Sequence, residues 1–139
     1  MKRIPLFLVV LGLIFFSACG SSEESEVERM KREVIAVHDE VMPLMGELRS
    51  FQRSLEEKAD ELDSRGVESP LVGEYRTAAS ACSAAYEGMF IWMRQFDMRM
   101  EEMNEDQSLA YLEDQAIKVA KVNEDIKTAL KLAESLLAE

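Results

Sequence analysis

The sequence predicts an all-α protein, folded as an antiparallel three-helix bundle behind an N-terminal tether. Apolar residues recur at intervals of three and four, the period of an amphipathic helix, through three long segments. The chain has only six Gly and three Pro among 139 residues, and 47% of it is hydrophobic, which suits one folded domain. Short connections between the segments favour antiparallel helices that bury their apolar stripes against one another.

Residues 1–18 have the order of a secretory signal peptide. Lys2 and Arg3 precede a nearly unbroken apolar run, Ile4–Phe16, and two small residues follow it. A membrane-spanning helix needs about 20 apolar residues, which is more than this run contains. We therefore expect a cleaved leader and not a permanent transmembrane helix.

The segment that ends this leader, Phe16-Ser17-Ala18-Cys19, resembles the bacterial lipobox. The resemblance implies that Cys19 is lipidated, becomes the first residue of the mature protein and anchors it in a lipid bilayer. An ordinary signal peptide with a chance cysteine is the alternative. With Cys19 acylated, Cys82 has no disulfide partner, and we interpret it as a reduced, buried, small apolar residue. A reactive thiol is the alternative, although no His or Cys lies near it in sequence to lower its pKa.

The acidity of the chain excludes two classes of partner. Removal of residues 1–18 takes away two basic residues and no acidic one, so the formal net charge falls from -11 to -13. Such a surface repels nucleic acid and anionic lipid headgroups, and we expect neither as a partner. Residues 19–26 are serine-rich and acidic, and we interpret them as a flexible tether.

The first helix is predicted over about residues 27–64, with Pro43 inside it. Proline removes one helical hydrogen bond, but the apolar spacing continues through Pro43, which projects toward solvent. A kinked helix is therefore favoured over two helices. If residues 36–64 pair with the next helix, the preceding dozen residues would project as a stalk of about 18 Å. The predicted stripe contains Val27, Met30, Val34, Val37, Val41, Leu44, Leu48, Phe51, Leu55 and Leu62, with an interruption at Lys58.

The second helix is predicted over about residues 70–96. Ser69 is a suitable N-cap, and Pro70 suits the first helical turn. Near its end, the spacing places Met89, Trp92 and Met93 on the buried side. Phe90 falls at the edge of that side and Ile91 points away from it. The candidate partner-binding residues are Phe90, Ile91 and Trp92.

The third helix is predicted over about residues 108–138, and the connection before it contains Met98, Met100 and Met103. Thioethers are soft ligands that suit Cu(I), so these methionines are a candidate metal site. Methionines that cap the end of a hydrophobic core are the alternative. Within the third helix, Asn123 is the one polar residue on the apolar stripe.

No residue pattern indicates catalysis or a cofactor. His38 is the only histidine and lies beside Asp39 and Glu40, but neighbours on a helix diverge by about 100°, so we expect no common site. We interpret His38 as a histidine at the edge of the core. The acidic loop lacks a calcium-binding pattern, and the chain has no GxSxG motif or phosphate-binding glycine loop. We expect no enzyme activity and no cofactor.

Three segments, "EVIAVHDEVMPLMGELRSF", "AYEGMFIWMRQF" and "AYLEDQ", resemble an uncharacterised family of small helical lipoproteins of the Bacteroidota. Its members are sometimes labelled viral A-type inclusion proteins. The resemblance implies a lipoprotein with a shared helical core, and it brings no activity, ligand or catalytic residue. In lipoproteins of that group, acidic residues such as Glu23 and Glu24 accompany surface export, and an aspartate at Gly20 would indicate inner-membrane retention. The outer membrane, at its periplasmic face or the cell surface, is therefore favoured over the inner membrane.

Together these features predict a membrane-anchored lipoprotein that acts as a non-enzymatic interaction or scaffolding module of the cell envelope. Its partner would be another envelope protein or a second copy of the chain. The alternative function is envelope metal handling, with Cu(I) bound by the loop methionines.

Overall fold

The computed structural model describes residues 24–66 and 68–138. It contains four α-helices, α1 (Glu26–Val41), α2 (Met45–Ser64), α3 (Pro70–Gln95) and α4 (Glu105–Leu137), with a 3₁₀ turn at Met42–Leu44 between α1 and α2. Because α1 and α2 follow each other through that turn as one long arm, the fold is an all-α three-helix bundle. The predicted signal peptide, the lipidation residue Cys19 and most of the predicted tether lie outside the described residues.

Helices α1, α3 and α4 each begin at a side-chain cap, whereas α2 follows the 3₁₀ turn without one. The hydroxyl of Ser25 accepts a hydrogen bond from the backbone N–H of Glu28 at 3.2 Å, and Ser69 accepts one from Leu71 at 3.3 Å. Asn104 and Gln107 form a reciprocal capping box, which starts α4 three residues before the expected Ser108.

The arm changes from α-helical to 3₁₀ geometry at Pro43, which is exposed to solvent. Proline cannot donate the hydrogen bond that an α-helix needs at this position, and the chain forms a 3₁₀ turn there. Val41, Met42 and Met45 all keep right-handed helical backbone angles. The segment is therefore neither an unbroken α-helix nor a loop between two separate helices.

The two halves of the arm pack on different neighbours. α2 packs along α3, whereas α1 packs mainly along α4. Val34 in α1 is fully buried, and Val27 and Met30 pack against the core. The expectation of a projecting stalk is therefore wrong. α4 is 33 residues, or about 50 Å, long, so it extends past the α2–α3 pair and covers the first half of the arm.

The core follows the predicted stripes except at a few positions. Met45 is buried beside the partly buried Leu44, and Ala59 fills the place of the expected interruption at Lys58. Met93 was expected inside, but its side chain is 39% exposed, so that prediction is wrong. The largest fully buried side chains are Val34, Val41, Leu48, Leu55, Cys82, Met89, Leu112, Val119 and Ile126.

Cys82 is a free, fully buried cysteine, as the sequence predicted. Its thiol lies 3.8 Å from the carbonyl oxygen of Ala129, to which it donates a weak hydrogen bond. Burial raises the pKa of the thiol, which keeps it protonated at neutral pH. This cysteine therefore packs α3 against α4 and has the environment of an inert residue.

Asn123 is one of three buried polar residues of α4, with Ser108 and Gln115, so the expectation of a single polar position on this stripe is wrong. Asn123 joins α4 to α1 just before the 3₁₀ turn. Its amide Nδ2 donates to the carbonyl oxygen of Val37 and to Glu40 Oε2, both at 3.0 Å. Lys127 Nζ donates to Glu40 Oε1 at 2.6 Å. The hydrogen bond from Lys127, supported by the one from Asn123, holds the pKa of the Glu40 carboxyl below its usual value. These hydrogen bonds are directional, so they favour one register of α1 on α4. Apolar contacts alone specify the register less strictly.

Candidate functional site

Four aromatic rings from three helices lie in a row where α1 meets the end of α3. The ring centres of His38 and Trp92 are 5.7 Å apart, those of Trp92 and Phe96 are 4.9 Å apart, and those of Phe96 and Tyr111 are 6.1 Å apart. The Tyr111 hydroxyl accepts a hydrogen bond from the backbone N–H of Asp97 at 2.7 Å. The row therefore fixes the end of α3 and the start of the following loop against α4.

His38 has one satisfied and one unsatisfied ring nitrogen. Nδ1 lies 2.8 Å from Asp39 Oδ1, while Nε2 is buried and has no hydrogen-bond partner among the described residues. The sequence predicted that His38, Asp39 and Glu40 would diverge. Only Glu40 does so, because it turns toward Lys127, whereas the side chains of His38 and Asp39 meet.

Trp92 also carries an unsatisfied nitrogen. Its side chain is only 6% exposed, and its indole Nε1 is buried without a hydrogen-bond partner in the part of the chain that the structure describes. Buried polar atoms in folded proteins are paired in about 90% of cases or more. Within the described residues, two buried nitrogens without a hydrogen-bond partner thus lie on neighbouring rings. A third such atom, Gln115 Oε1, lies on α4.

A groove of about 240 Å³ opens beside these two rings, between α1 and the end of α3. We call it the histidine groove and define it by His38, Asp39, Trp92, Met93 and Met98, which line it. Met98 is 56% exposed and Met93 is also at the surface, so two thioethers border the groove from its solvent side. Asp39 supplies the one carboxylate of the lining.

The three methionines of the predicted loop site do not lie together on one exposed surface. Met98 borders the histidine groove, but Met100 is only 6% exposed and belongs to the core, and Met103 is partly buried against the core. Met100 has a left-handed φ of 50°, which turns the loop and directs its side chain inward. The positions of Met100 and Met103 agree with methionines that fill the end of a core. No group of three or more His, Cys, Asp or Glu side chains converges as a metal site within the described residues.

The three predicted partner-binding residues have different exposures. Ile91 is 44% exposed, as the sequence predicted. Phe90 is partly buried, with its ring centre 4.9 Å from that of Tyr86. Trp92 is buried between the helices, so its assignment to a partner surface is wrong. The aromatic end of α3 is mainly internal packing, and Ile91 is the part of it that a partner can reach.

A second groove, of about 280 Å³, runs between α3 and α4 on another side of the bundle. We call it the alanine groove, because Ala81, Ala84, Ala85 and Gly88 line its α3 side. Leu132 lines its α4 side and is 41% exposed. Ile91 follows Gly88 by three residues and Ala84 by seven, so it continues this face of α3 toward the helix end. The sequence contains these small residues, but it does not indicate that the helix face they form is left partly uncovered by the bundle.

In comparisons with known proteins, no family model, no curated protein and no solved structure matches the chain. Among the described residues, no helix combines the length and the apolar character that crossing a bilayer requires.

Proposed function

We propose that this protein is a non-enzymatic, lipid-anchored module of the cell envelope that docks a helix of another envelope protein in the alanine groove. The anchor is Cys19, in keeping with the lipobox-like segment that precedes it. The docking surface is the open face of α3 and α4 between Ile91 and Leu132. The proposal rests mainly on the presence of a glycine, Gly88, in this groove.

Gly88 lies inside α3, where glycine is less favourable than alanine by about 0.8 to 1.0 kcal/mol. A Cβ atom added at Gly88 would meet no heavy atom within 4 Å. The packing of the described residues therefore gives no reason for a glycine at this position. Glycine does, however, allow another backbone to approach closely, as alanine-rich and glycine-rich helix faces do at helix–helix contacts. A docked helix accounts for a residue that the bundle itself does not need.

The ends of the groove supply apolar contacts for such a helix. Ile91 and Leu132 are among the large hydrophobic side chains that stay exposed in the described part of the chain. Single exposed hydrophobic residues are common on protein surfaces. Here, however, Leu132 lines an apolar groove, and Ile91 follows Gly88 of that groove by three residues, about one helical turn along α3. A helix with small residues at its centre and apolar residues near its ends fits this shape.

Charge favours a different protein over a second copy as the occupant. The net charge of the chain is -11, and two such chains repel each other on approach. A partner helix with basic residues beside its apolar face is attracted to the same surface. We therefore commit to a basic, amphipathic helix of another envelope protein.

The test is photo-crosslinking in living cells, with a photoreactive amino acid at Ile91 or Leu132 and Cys19 intact, followed by mass spectrometry. A position at Glu57, exposed on α2, serves as the background control. We expect one and the same heterologous adduct from both groove positions and not from Glu57. Gly88→Leu should abolish the adduct by filling the groove. Gly46→Leu should not, because Gly46 lies on α2 and is equally free of close neighbours.

An adduct between two copies of the chain would replace the proposed partner with self-association. Equal adducts at the groove positions and at Glu57, or an adduct that survives Gly88→Leu, would refute docking in the alanine groove. The anchor has its own test, since Cys19→Ala should move the protein from the membrane fraction to the soluble fraction. Membrane association that is unchanged by Cys19→Ala would contradict lipid anchoring.

A further inference from the structure

We infer that the histidine groove binds a soft monovalent cation, Cu(I) or Ag(I). The ligands are His38 Nε2 and the thioethers of Met93 and Met98, and the ion lies beside the ring of Trp92. This site is separate from the docking proposed above. Met93 and Ile91 lie about 160° apart around α3, so the two proposals use different faces of the helix.

The chemistry of the lining selects the class of ion. Thioether sulfur and imidazole nitrogen together suit soft cations such as Cu(I). Calcium and magnesium need several oxygen ligands, but Asp39 is the one carboxylate on the groove. Structural zinc sites use four His or Cys ligands, and the sequence has a single histidine. Of these ions, a soft monovalent cation is the one that this donor set fits.

His38 is already oriented as a metal ligand. A histidine that binds a metal through one ring nitrogen almost always donates its other N–H to a carboxylate, a carbonyl or a water. Nδ1 of His38 makes this contact with Asp39 Oδ1 at 2.8 Å. Nε2 lies on the far side of the ring, where it is buried and has no hydrogen-bond partner within the described ranges. An ion at Nε2 would satisfy an atom that the folded chain leaves unsatisfied.

Trp92 lines the same groove with an aromatic ring, and the faces of such rings attract cations. Its ring centre lies 5.7 Å from that of His38. Because Trp92 is buried, its ring is held in place by Phe96 and does not have to be ordered when the ion binds.

The two thioethers give the ion a path from solvent. Met93 and Met98 are both partly exposed, and methionine side chains are unbranched and flexible, so their sulfur atoms can close over an ion that has entered the groove. The strongly acidic chain raises the local concentration of cations. This donor set shares Met98 with the loop-methionine set, but it replaces Met100 and Met103 with His38 and Met93.

The single tryptophan and the single histidine make the site directly observable. Ag(I), which does not change oxidation state in air, is titrated into the full chain in a mild detergent while tryptophan fluorescence is followed. Anaerobic Cu(I) with a competing chelator then gives the affinity. We expect saturable quenching of Trp92 emission at one equivalent of Ag(I), and a shift of the His38 ring signals in the nuclear magnetic resonance spectrum.

Single substitutions distinguish this ion site from a site formed by the loop methionines. Met93→Leu and Met98→Leu should each weaken binding about tenfold or more, and both replace surface side chains, so the fold should persist. Asp39→Ala should weaken binding by about 10- to 100-fold, the usual effect of removing a group that orients a ligand. Met103→Leu, in the same loop, and Ile91→Ala, on the opposite face of α3, should leave binding unchanged.

Three outcomes would overturn the inference. The first is no Ag(I) or Cu(I) binding by the full chain. The second is binding without a response of Trp92 or His38. The third is binding that Met103→Leu weakens as much as Met98→Leu does, which would place the ion in the loop. None of these outcomes changes the crosslinking expected at Ile91, so the docking proposal is tested independently.

Discussion

Replacing Gly88 with alanine is expected to stabilise the bundle by about 1 kcal/mol, although the replacement adds a methyl group at a groove that we propose is functional. Gly88 is seven residues from the end of α3 at Gln95, so it lies in the helix interior. There the difference between glycine and alanine is about 0.8 to 1.0 kcal/mol, chiefly because alanine reduces the conformational freedom of the unfolded chain. No steric term opposes this gain, since the new Cβ has no neighbour within 4 Å.

Urea unfolding of the full chain in a mild detergent, followed by circular dichroism, measures the effect. The midpoint should rise while the slope stays constant, because the surface exposed on unfolding hardly changes. For a domain of this size, about 1 kcal/mol corresponds to a rise in Tm of about 3 to 6 °C. Gly66→Ala is the matched control with the opposite sign. Gly66 has a φ of +67°, a conformation that costs an L-residue roughly 1 to 2 kcal/mol.

A Gly88→Ala variant that is less stable than the parent would refute the reasoning. It would mean that an added methyl group meets a neighbour, so the face of α3 at Gly88 would be closed and the alanine groove would lose its main support. A variant that is more stable but gives less crosslinked partner at Ile91 would show that the glycine serves docking at the expense of the fold. Gly46→Ala should be more stable without any loss of crosslinking.

Three further predictions concern the core and its titratable groups. Val41→Asp should unfold the bundle, because an unpaired buried charge costs several kcal/mol, whereas Met93→Asp should leave the circular dichroism melt nearly unchanged, because its side chain reaches water. Glu40 has a lowered pKa, so its contribution to stability is present above its ordinary pKa of 4.5 and is lost as the pH falls through the lowered value. Acid unfolding of Glu40→Gln should lack this part of the pH dependence, and an identical profile would contradict the role of Lys127. Cys82 should resist a thiol reagent in the native protein and react once urea unfolds it, whereas rapid native labelling would contradict its burial.

The fold class was predictable because the apolar spacing repeats over many turns and the helix boundaries carry local signals. Ser69 and Pro70 start α3 where the sequence placed them. The capping box at Asn104 was also readable in principle, since an Asn followed three residues later by Gln is such a signal. The apolar stripe begins only near Ser108, so the stripe alone places the start of α4 three residues late.

The face of each residue near the end of α3 was not predictable from spacing alone. After Met89, a 3-4 pattern can continue at Trp92 or at Met93, and both fit a helical stripe. The choice depends on which neighbours cover that part of the helix. In the structure His38 and Phe96 pack on Trp92, so Trp92 is buried and Met93 is left at the surface. The sequence contains these residues but does not show that α1 and α3 meet there.

The stalk was wrongly predicted for a similar reason. Matching the first predicted helix to the second leaves its first dozen residues without a neighbour, whereas α4, with 33 residues, is long enough to cover them. Because α1 instead packs on α4, His38 comes to lie beside α3 with one nitrogen unsatisfied. The histidine groove thus depends on a tertiary arrangement that neither local propensity nor motif spacing specifies.

Both proposed sites use residues of α3. Their independence can be tested by measuring ion binding in a variant of the docking groove and crosslinking in a variant of the ion site. Gly88 lines the alanine groove between α3 and α4, and Ile91 follows it by three residues, whereas Trp92 and Met93 line the histidine groove beside α1. Gly88→Leu should therefore abolish crosslinking without changing the quenching of Trp92 by Ag(I). Met98→Leu should weaken the quenching without changing the crosslinks. If either variant impaired both measurements, the end of α3 would act as one surface, and the ion would be part of the docking site instead of a separate ligand.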